Sequence, residues 1–415
     1  MVLAWGLAGC GAPPTLDVRV HYQDERGTGV VLRWEQDATA RGAVRWTDPV
    51  SGAVRTTPAR VGRAQRHLVL GLPPGEPQTL EVLLDGVPSA TLDVVPRDAP
   101  EDLPAFAVVQ GAWDGWTAVP WTDPVGARAG VVVLDGAARP LAWTASALFP
   151  TDVGWRWDPA DGLTLVHNVM GETGALESVP LDEEIAPSSM VTPGGHHAFT
   201  ILPDDGLAWL AYETRQVDGE AVIGDVIVVR DAAGNERVAW NSFDSLPVER
   251  HEAWDSLGAQ KDWTHANALA WNPASRSWLV SLYWLREVVE IDDASGVALR
   301  VLDGHETSST FGPQHAASFE DEGVLLFDNA LQDRPSRVAR FGWDGALQWE
   351  WTPQERTNTL VLGDAEGLAD GRLLTAWGTS GKLIGLDADR APTWEVHAPA
   401  GIVLGQVAWT AGAAD

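Results

Sequence analysis

The chain has 415 residues, of which 45% are hydrophobic and 21% charged, and a formal net charge of -30. This length and composition suit one large repeat domain plus a smaller one and exclude a chain disordered throughout. Acidity without a basic stripe argues against a nucleic-acid partner, and a single cysteine excludes an intrachain disulfide and a cysteine-built zinc site.

The opening MVLAWGLAGCGAPP has a short apolar run ending Leu7-Ala8-Gly9-Cys10. It resembles a bacterial lipobox, where the leader is cut before the cysteine and the sulfur carries a lipid. The resemblance implies that residues 1–14 are leader and tether and that Cys10 is lipidated. It also implies a lipid-anchored place in the cell envelope, on the periplasmic face or outer membrane. No later stretch reaches the roughly 20 apolar residues of a membrane span.

Residues 15–96 read as a small β-sandwich. Alternation in Leu16-Asp17-Val18-Arg19-Val20 predicts a first strand, and Gly29-Val30-Val31-Leu32-Arg33-Trp34 a second. The passage His67-Leu68-Val69-Leu70-Gly71-Leu72-Pro73-Pro74-Gly75, with the strand after it, resembles a turn-and-core-strand passage of fibronectin type III domains. Leu80 lies near the place of the tyrosine found there. His21 and His67 read as surface or edge histidines. The polar, proline-bearing stretch 97–104 is the predicted linker.

From 105 to 415 the chain repeats itself. One hairpin recurs as an apolar strand, an Asp, a turn and a strand bearing Trp. It appears around Asp135/Trp143, Asp231/Trp240, Asp344/Trp349 and Asp387/Trp394, and around Asp292 without the Trp. Asp and Gly suit such turns, because the carboxylate bonds its own backbone and Gly accepts positive φ. The 22 Trp, against 3 Tyr and 8 Phe, suit hairpins that stack indoles between sheets. A second hairpin precedes each unit, giving a four-stranded module of roughly 40 to 60 residues and room for about six of them. The predicted fold is all-β: a six-bladed β-propeller preceded by the sandwich. The tail Ile402–Trp409 is expected to pair with the first blade and close the ring.

The stretch from Asp262 to Asp328 carries the chemistry. THAN (His265) and QHAA (His315) each open a strand–turn–strand unit, as does GGHHAF with His196 and His197. His197, His265 and His315 take equivalent places in this reading and converge on one channel mouth. Strand alternation turns His196 to the opposite face. In the next copy Gly363 or Asp364 stands at the histidine position. His167, His251, His305 and His397 read as core or edge residues. Arg334 and Arg337 follow the His315 hairpin. Imidazoles with a guanidinium suit an anion such as sulfate or phosphate, and histidine can carry such a group covalently. Three imidazoles could also hold a metal, but no local histidine pair supports one.

The segments DWTHANALAWNP, LVSLYWLREVVEID and FGPQHAASFEDEGVLLFDN closely resemble the bacterial arylsulfotransferases, with their D-W-x-H-x-N, V-S-x-R and Q-H-x-A motifs. The resemblance implies sulfuryl transfer from a phenolic sulfate ester to another phenol through a sulfohistidine, without a nucleotide donor, cofactor or metal. By motif, His265 and His315 match the two family histidines and Arg334 the arginine after F-D-N, with Arg337 as the alternative. The candidate catalytic set is therefore His197, His265, His315 and Arg334. Asn267, Gln314, Arg337 and His196 are candidates for substrate binding. Two places depart from the family: the chain has Ser281-Leu282-Tyr283-Trp284 where V-S-x-R would put a basic residue, with Arg286 out of register, and Gly363-Asp364 where a histidine is expected. The competing reading is a non-catalytic propeller lipoprotein that binds a ligand or partner at the same mouth.

Overall fold

The computed structural model describes residues 16–412, apart from 24, 159–161, 172, 249–260, 331–333 and 356. Cys10 and His251 lie outside the described residues. The chain is all-β, with seven sheets; the helical pieces among the described residues are Ser242–Ser245 and the 3-10 turn Gly378–Ser380. No described helix is long and apolar enough to cross a membrane. Two compact units are present, one comprising Thr28–Asp98 with the segment before it, the other Ala99–Ala413 with Glu25–Gly27.

In the first unit six strands share one hydrogen-bonded sheet. The second strand runs far past Trp34: it is the 18-residue Val30–Thr47. It pairs with Val18–Tyr22, Val54–Thr56, Arg60–Val69 and Gln78–Leu84 in different parts of its length. Its register breaks between Glu35 and Ala40. Val30, Leu32, Trp34, Val44 and Trp46 bury their side chains against Val69, Leu72 and Leu80. His67 is a correction to the sequence reading. It is buried, stacked on Trp34 with ring centroids 5.1 Å apart, and its Nδ1 lies 2.9 Å from the Thr57 hydroxyl. Burial pushes its pKa down to about 4.

Among the described residues the second unit has six sheets of four or five strands, each built on an antiparallel meander of consecutive strands. The first strands of successive sheets lie side by side: Gly195–Ile201 against Ala266–Asn272, and that strand against Gln314–Glu320. The tail strands Val403–Leu404 and Ala408–Thr410 pair with Trp116–Asp123 of the first sheet, as the sequence pattern predicts. At the other end of the unit, Ala107–Gly111 adds a fifth strand to the last sheet, on Pro392–His397.

The recurring hairpin explains the sheets. Asp135, Asp231, Asp292, Asp344 and Asp387 each accept a backbone N–H of their own turn. Gly234, Gly296 and Gly345 sit there at φ of 88°, 68° and 78°. Trp on the returning strand then fills the gap between sheets. Trp240 joins a core with Trp278 and Val280 of the following sheet. Trp394 stacks on Trp113 and donates from its Nε1 to Gly136 O at 2.9 Å. Losing such a fully buried indole costs about 3–5 kcal/mol.

A second kind of contact ties the sheets together. The Asp152 carboxylate accepts Phe199 N–H, Asp364 accepts Val407 N–H and Glu366 accepts Trp409 N–H. Gln406 donates across to Asn267 O at 3.0 Å. The three carboxyls line a cavity of about 410 Å³ with Trp155, Phe199 and Trp409. Burial pushes Asp152 up to about 8, Asp364 to about 7 and Glu366 to about 8; repulsion within the group adds to Asp152 and Glu366.

These carboxyls keep protons in the folded chain that the unfolded chain releases near pH 4. The folded state therefore binds more protons between pH 4 and 8, and stability falls as pH rises through that window. Thermal melts are expected to show a lower Tm at pH 8.5 than at pH 5.5. Asp364→Asn, which keeps an acceptor for Val407, is expected to shrink that difference; an unchanged slope would clear the carboxyls of responsibility.

Candidate functional site

His196, His197, His265 and His315 come together at the starts of three adjacent first strands. Each of these strands carries a register shift just past its histidine, between His196 and Phe199, Ala266 and Ala268, and His315 and Ser318. A left-handed residue sits in or just before each shift: His197, His265 and Ala316, all at φ 49°. Bulges re-aim side chains, and positive φ is uncommon outside glycine. The equivalence predicted from sequence is therefore shifted by one. His197 matches His265, but the third copy has Ala316 at that place, and His315 corresponds to His196 and Thr264. The bulge also cancels strand alternation. His196 does not face away; its Nδ1 lies 2.9 Å from His197 Nδ1.

The rings form a chain of contacts. His197 and His265 have centroids 4.7 Å apart, His265 and Tyr283 5.4 Å, and Tyr283 and His315 5.2 Å. Trp284 lies 5.9 Å from His265. On the other side His196 stacks on Tyr212 at 3.7 Å, and its Nε2 lies 2.9 Å from Asp225 Oδ1. Of the four imidazoles, His265 is the most open, at 21% exposure of its side chain.

His265 and His315 are each anchored through Nδ1. His265 Nδ1 is held by the Asp262 carboxylate, three residues earlier. Asp262 is itself fixed because Lys261–Asp262 pairs in parallel with Glu220–Arg230. His315 Nδ1 lies 2.6 Å from Asn329 Oδ1. The Asn329 amide donates to Thr359 O and Leu362 O, so its oxygen faces the ring and His315 carries its proton on Nδ1. His315 Nε2 accepts only a long 3.3 Å bond from Leu362 N–H. Burial pushes the His315 pKa down to about 3. Burial, followed by the charge of neighbouring His265, His196 and His315, holds His197 well below the usual imidazole range.

The remaining candidates are placed in the framework around the rings. Asn267 donates to Gln314 O, and the Gln314 amide donates to Ser281 Oγ, Leu282 O and Glu287 O, so both brace neighbouring strands. Arg334 pairs with Asp328 at 2.8 Å and donates to Thr310 O. Arg337 also pairs with Asp328, at 2.9 Å, and donates to Ser309 and Thr310. Gly363 has a physical reason for not being histidine: it sits at φ 115°, and a Cβ there would lie 2.5 Å from the Phe327 ring. His167 is buried and His305 exposed; His397 bonds Glu395 at 2.6 Å. Among the described residues no group of three His, Cys, Asp or Glu is arranged to hold a metal ion.

Four functional neighbours had no role assigned from sequence: Asp225, Asp262, Tyr283 and Asn329. Asp262 was legible in principle, since D-x-x-H is the spacing at which it meets His265. Asn329 was legible as the residue closing F-D-N.

The fold and site thus define an all-β protein of consecutive meander sheets with an imidazole cluster where their first strands begin. Residues 168–340 match the family model described as Arylsulfotransferase (ASST), and over that stretch the chain is arylsulfotransferase-like. The match spans both histidine motifs. No curated protein matches the chain. Among solved structures it is similar to a Bacteroides caccae protein of unknown function, at 12% identity over 74% of this chain and 98% of that one, with a TM-score of 0.44. A streptogramin B lyase gives 9% identity, 74% and 98% coverage and a TM-score of 0.41. Virginiamycin B lyase from Staphylococcus aureus gives 8%, 70% and 88%, and 0.38.

Asn329→Ala removes the acceptor for His315 Nδ1–H and strands two carbonyls. It is expected to destabilise the chain by about 1–3 kcal/mol in denaturant titration, the cost of unsatisfied buried polar groups. A change within a few tenths of a kcal/mol would show that Asn329 does not anchor the ring.

Proposed function

We propose that the chain transfers a sulfuryl group from a phenolic sulfate ester to a second phenol through a histidine. In this reading residues 105–415 form a six-bladed β-propeller, 15–96 a fibronectin type III-like domain and 97–104 the linker. A lipid on Cys10 tethers the protein in the cell envelope. The observation that carries the function is the pair His265 and His315, at the two motif positions, flanking Tyr283 and each anchored through Nδ1. Anchoring on one nitrogen leaves the Nε2 lone pair for chemistry.

His315 suits the nucleophile, since burial keeps it neutral at any working pH. Its Nε2 attacks sulfur; the N–S bond forms as the S–O bond to the donor phenol breaks. His265, with the Asp262 carboxylate behind it, suits the proton donor to the departing phenolate. In the second half the acceptor oxygen attacks sulfur, the N–S bond breaks and the acceptor's proton passes to a base in the cluster. Leu362 N–H supplies a backbone donor beside His315. Arg334 and Arg337, both paired with Asp328, serve as braces for the strand that leads into Asn329.

One observation favours the binding reading instead. Tyr283 occupies the place of the family's V-S-x-R arginine, so an aromatic ring stands where a sulfuryl-binding cation is expected.

With p-nitrophenyl sulfate as donor and phenol as acceptor, nitrophenol release is expected to depend on phenol. His315→Ala and His265→Ala are each expected to lower kcat/KM by about 10²- to 10⁴-fold, the usual worth of a positioned nucleophile or proton donor. Unchanged turnover in both variants would remove them from the reaction. A folded wild type with no release across several aryl sulfates would favour the binding propeller.

A further inference from the structure

We propose that Asp225 and His196 are positioning residues that set the tautomer of His197 and make it a second proton-handling arm of the site. The proposal rests on the sulfuryl-transfer reading for its use, but its geometry stands apart from it.

The donors and acceptors around Asp225, with the charge contact to His196, favour one assignment. Asp225 Oδ2 accepts Thr264 Oγ1–H at 2.5 Å and Ala266 N–H at 2.7 Å. Asp225 Oδ1 and His196 Nε2 are both buried without an aligned hydrogen-bond partner among the described residues, and they face each other as an ion-pair contact at 2.9 Å. Burial pushes the Asp225 pKa up, but His196, Thr264 and Ala266 outweigh it and hold the carboxyl below its usual value. An ionised carboxylate only accepts, so His196 carries its proton on Nε2. His196 Nδ1 is then bare and accepts from His197 Nδ1–H across 2.9 Å. His197 Nε2 is left with a lone pair, beside His265. Tyr212, stacked at 3.7 Å and nearly parallel at 5°, keeps the His196 ring from turning.

The arrangement can move a proton without moving a ring. When the acceptor phenol attacks sulfur, its O–H proton goes to His197 Nε2. The Nδ1 proton of His197 passes to His196 Nδ1, and the resulting imidazolium faces the Asp225 carboxylate. The N–S bond of the sulfohistidine breaks with its electron pair returning to the ring. His197, held below the usual imidazole range, does not have to keep the charge itself.

The test reads tautomers directly, by ¹⁵N–¹H long-range correlation of the imidazoles in the full chain at neutral pH. In the wild type, His197 is expected protonated on Nδ1 and His196 on Nε2. Asp225→Asn is expected to reverse both. Its oxygen takes the Thr264 and Ala266 donors, which turns the amide NH₂ toward His196 Nε2 and makes that atom an acceptor; the same logic costs a triad enzyme its activity when the buried Asp becomes Asn. Turnover with phenol is expected to fall by about 10²-fold or more, the lower bound for general-base loss. A wild-type His197 protonated on Nε2 overturns the proposal whether or not the variant folds. So does an Asp225→Asn chain with unchanged tautomers. The expected tautomers in a wild type that transfers no sulfuryl group would uphold the relay and sink only the reading of the reaction.

Discussion

The bulges that aim the imidazoles depend on buried carboxylates borrowed from neighbouring strands. A left-handed residue in a strand breaks the ladder and leaves a backbone N–H without its sheet partner. At the His197 bulge that N–H belongs to Phe199, and Asp152 of the preceding sheet accepts it at 2.9 Å. At the His265 bulge it belongs to Ala266, and Asp225 accepts it at 2.7 Å. An unpaired buried donor would cost about 1–3 kcal/mol. The strained φ of both histidines is thus held by acceptors that lie outside their own sheets. Positions of this kind persist only where the surroundings over-determine them, and they gather at functional sites.

The same residue type does opposite electrostatic work a short distance apart. Asp225 is surrounded by donors: His196, the Thr264 hydroxyl and Ala266 N–H, and it stays ionised despite burial. Asp152 and Glu366 face other carboxyls instead, and burial together with that repulsion pushes both to about 8. A cluster with no cation beside it relieves its repulsion by holding protons. Buried carboxyls in this unit thus divide between Asp225, held ionised beside His196, and the group of Asp152, Asp364 and Glu366, pushed toward the protonated form, of which Asp364 and Glu366 tie the tail strand to its neighbours.

Much of the framework could be read from the sequence because its signals are local. An Asp binding its own turn, a Gly at positive φ and a Trp on the returning strand identify each hairpin without knowledge of the rest. The closing strand was legible for the same reason, as an apolar run left over at the end of the repeats. The histidines were legible as a set, but their register was not. A one-residue bulge moves a side chain to the other face, and nothing in THAN, GGHHAF or QHAA marks where the bulge falls. Hence His315 was grouped with His197 when its structural counterpart is His196. His67 was misread because its burial comes from Trp34, 33 positions earlier in the sequence, across the sheet. Asp225 was invisible for the same reason: it lies 40 residues before His265 and reaches the site only through strand pairing.

For the proposed sulfuryl transfer, the pairing of Arg334 and Arg337 with Asp328 is a constraint on the chemistry. A sulfuryl group in flight carries negative charge that most such sites would meet with a fixed cation. Here Arg334 and Arg337 are both committed to Asp328, and Trp284 lies beside His265. In the proposed reaction the positive charge would come from Arg286, whose charge acts on Tyr283, or from an imidazole protonated during the reaction. Among the rings, His315 is ruled out for that task by burial, which holds it near 3. His197 is held low as well, so it can accept a proton only by passing one on. His265 alone combines solvent access with a carboxylate on Nδ1. Where the proposed reaction relies on that imidazole, charge stabilisation is tied to proton transfer, and an acceptor that is already ionised, bringing no proton, would leave the site without an imidazolium.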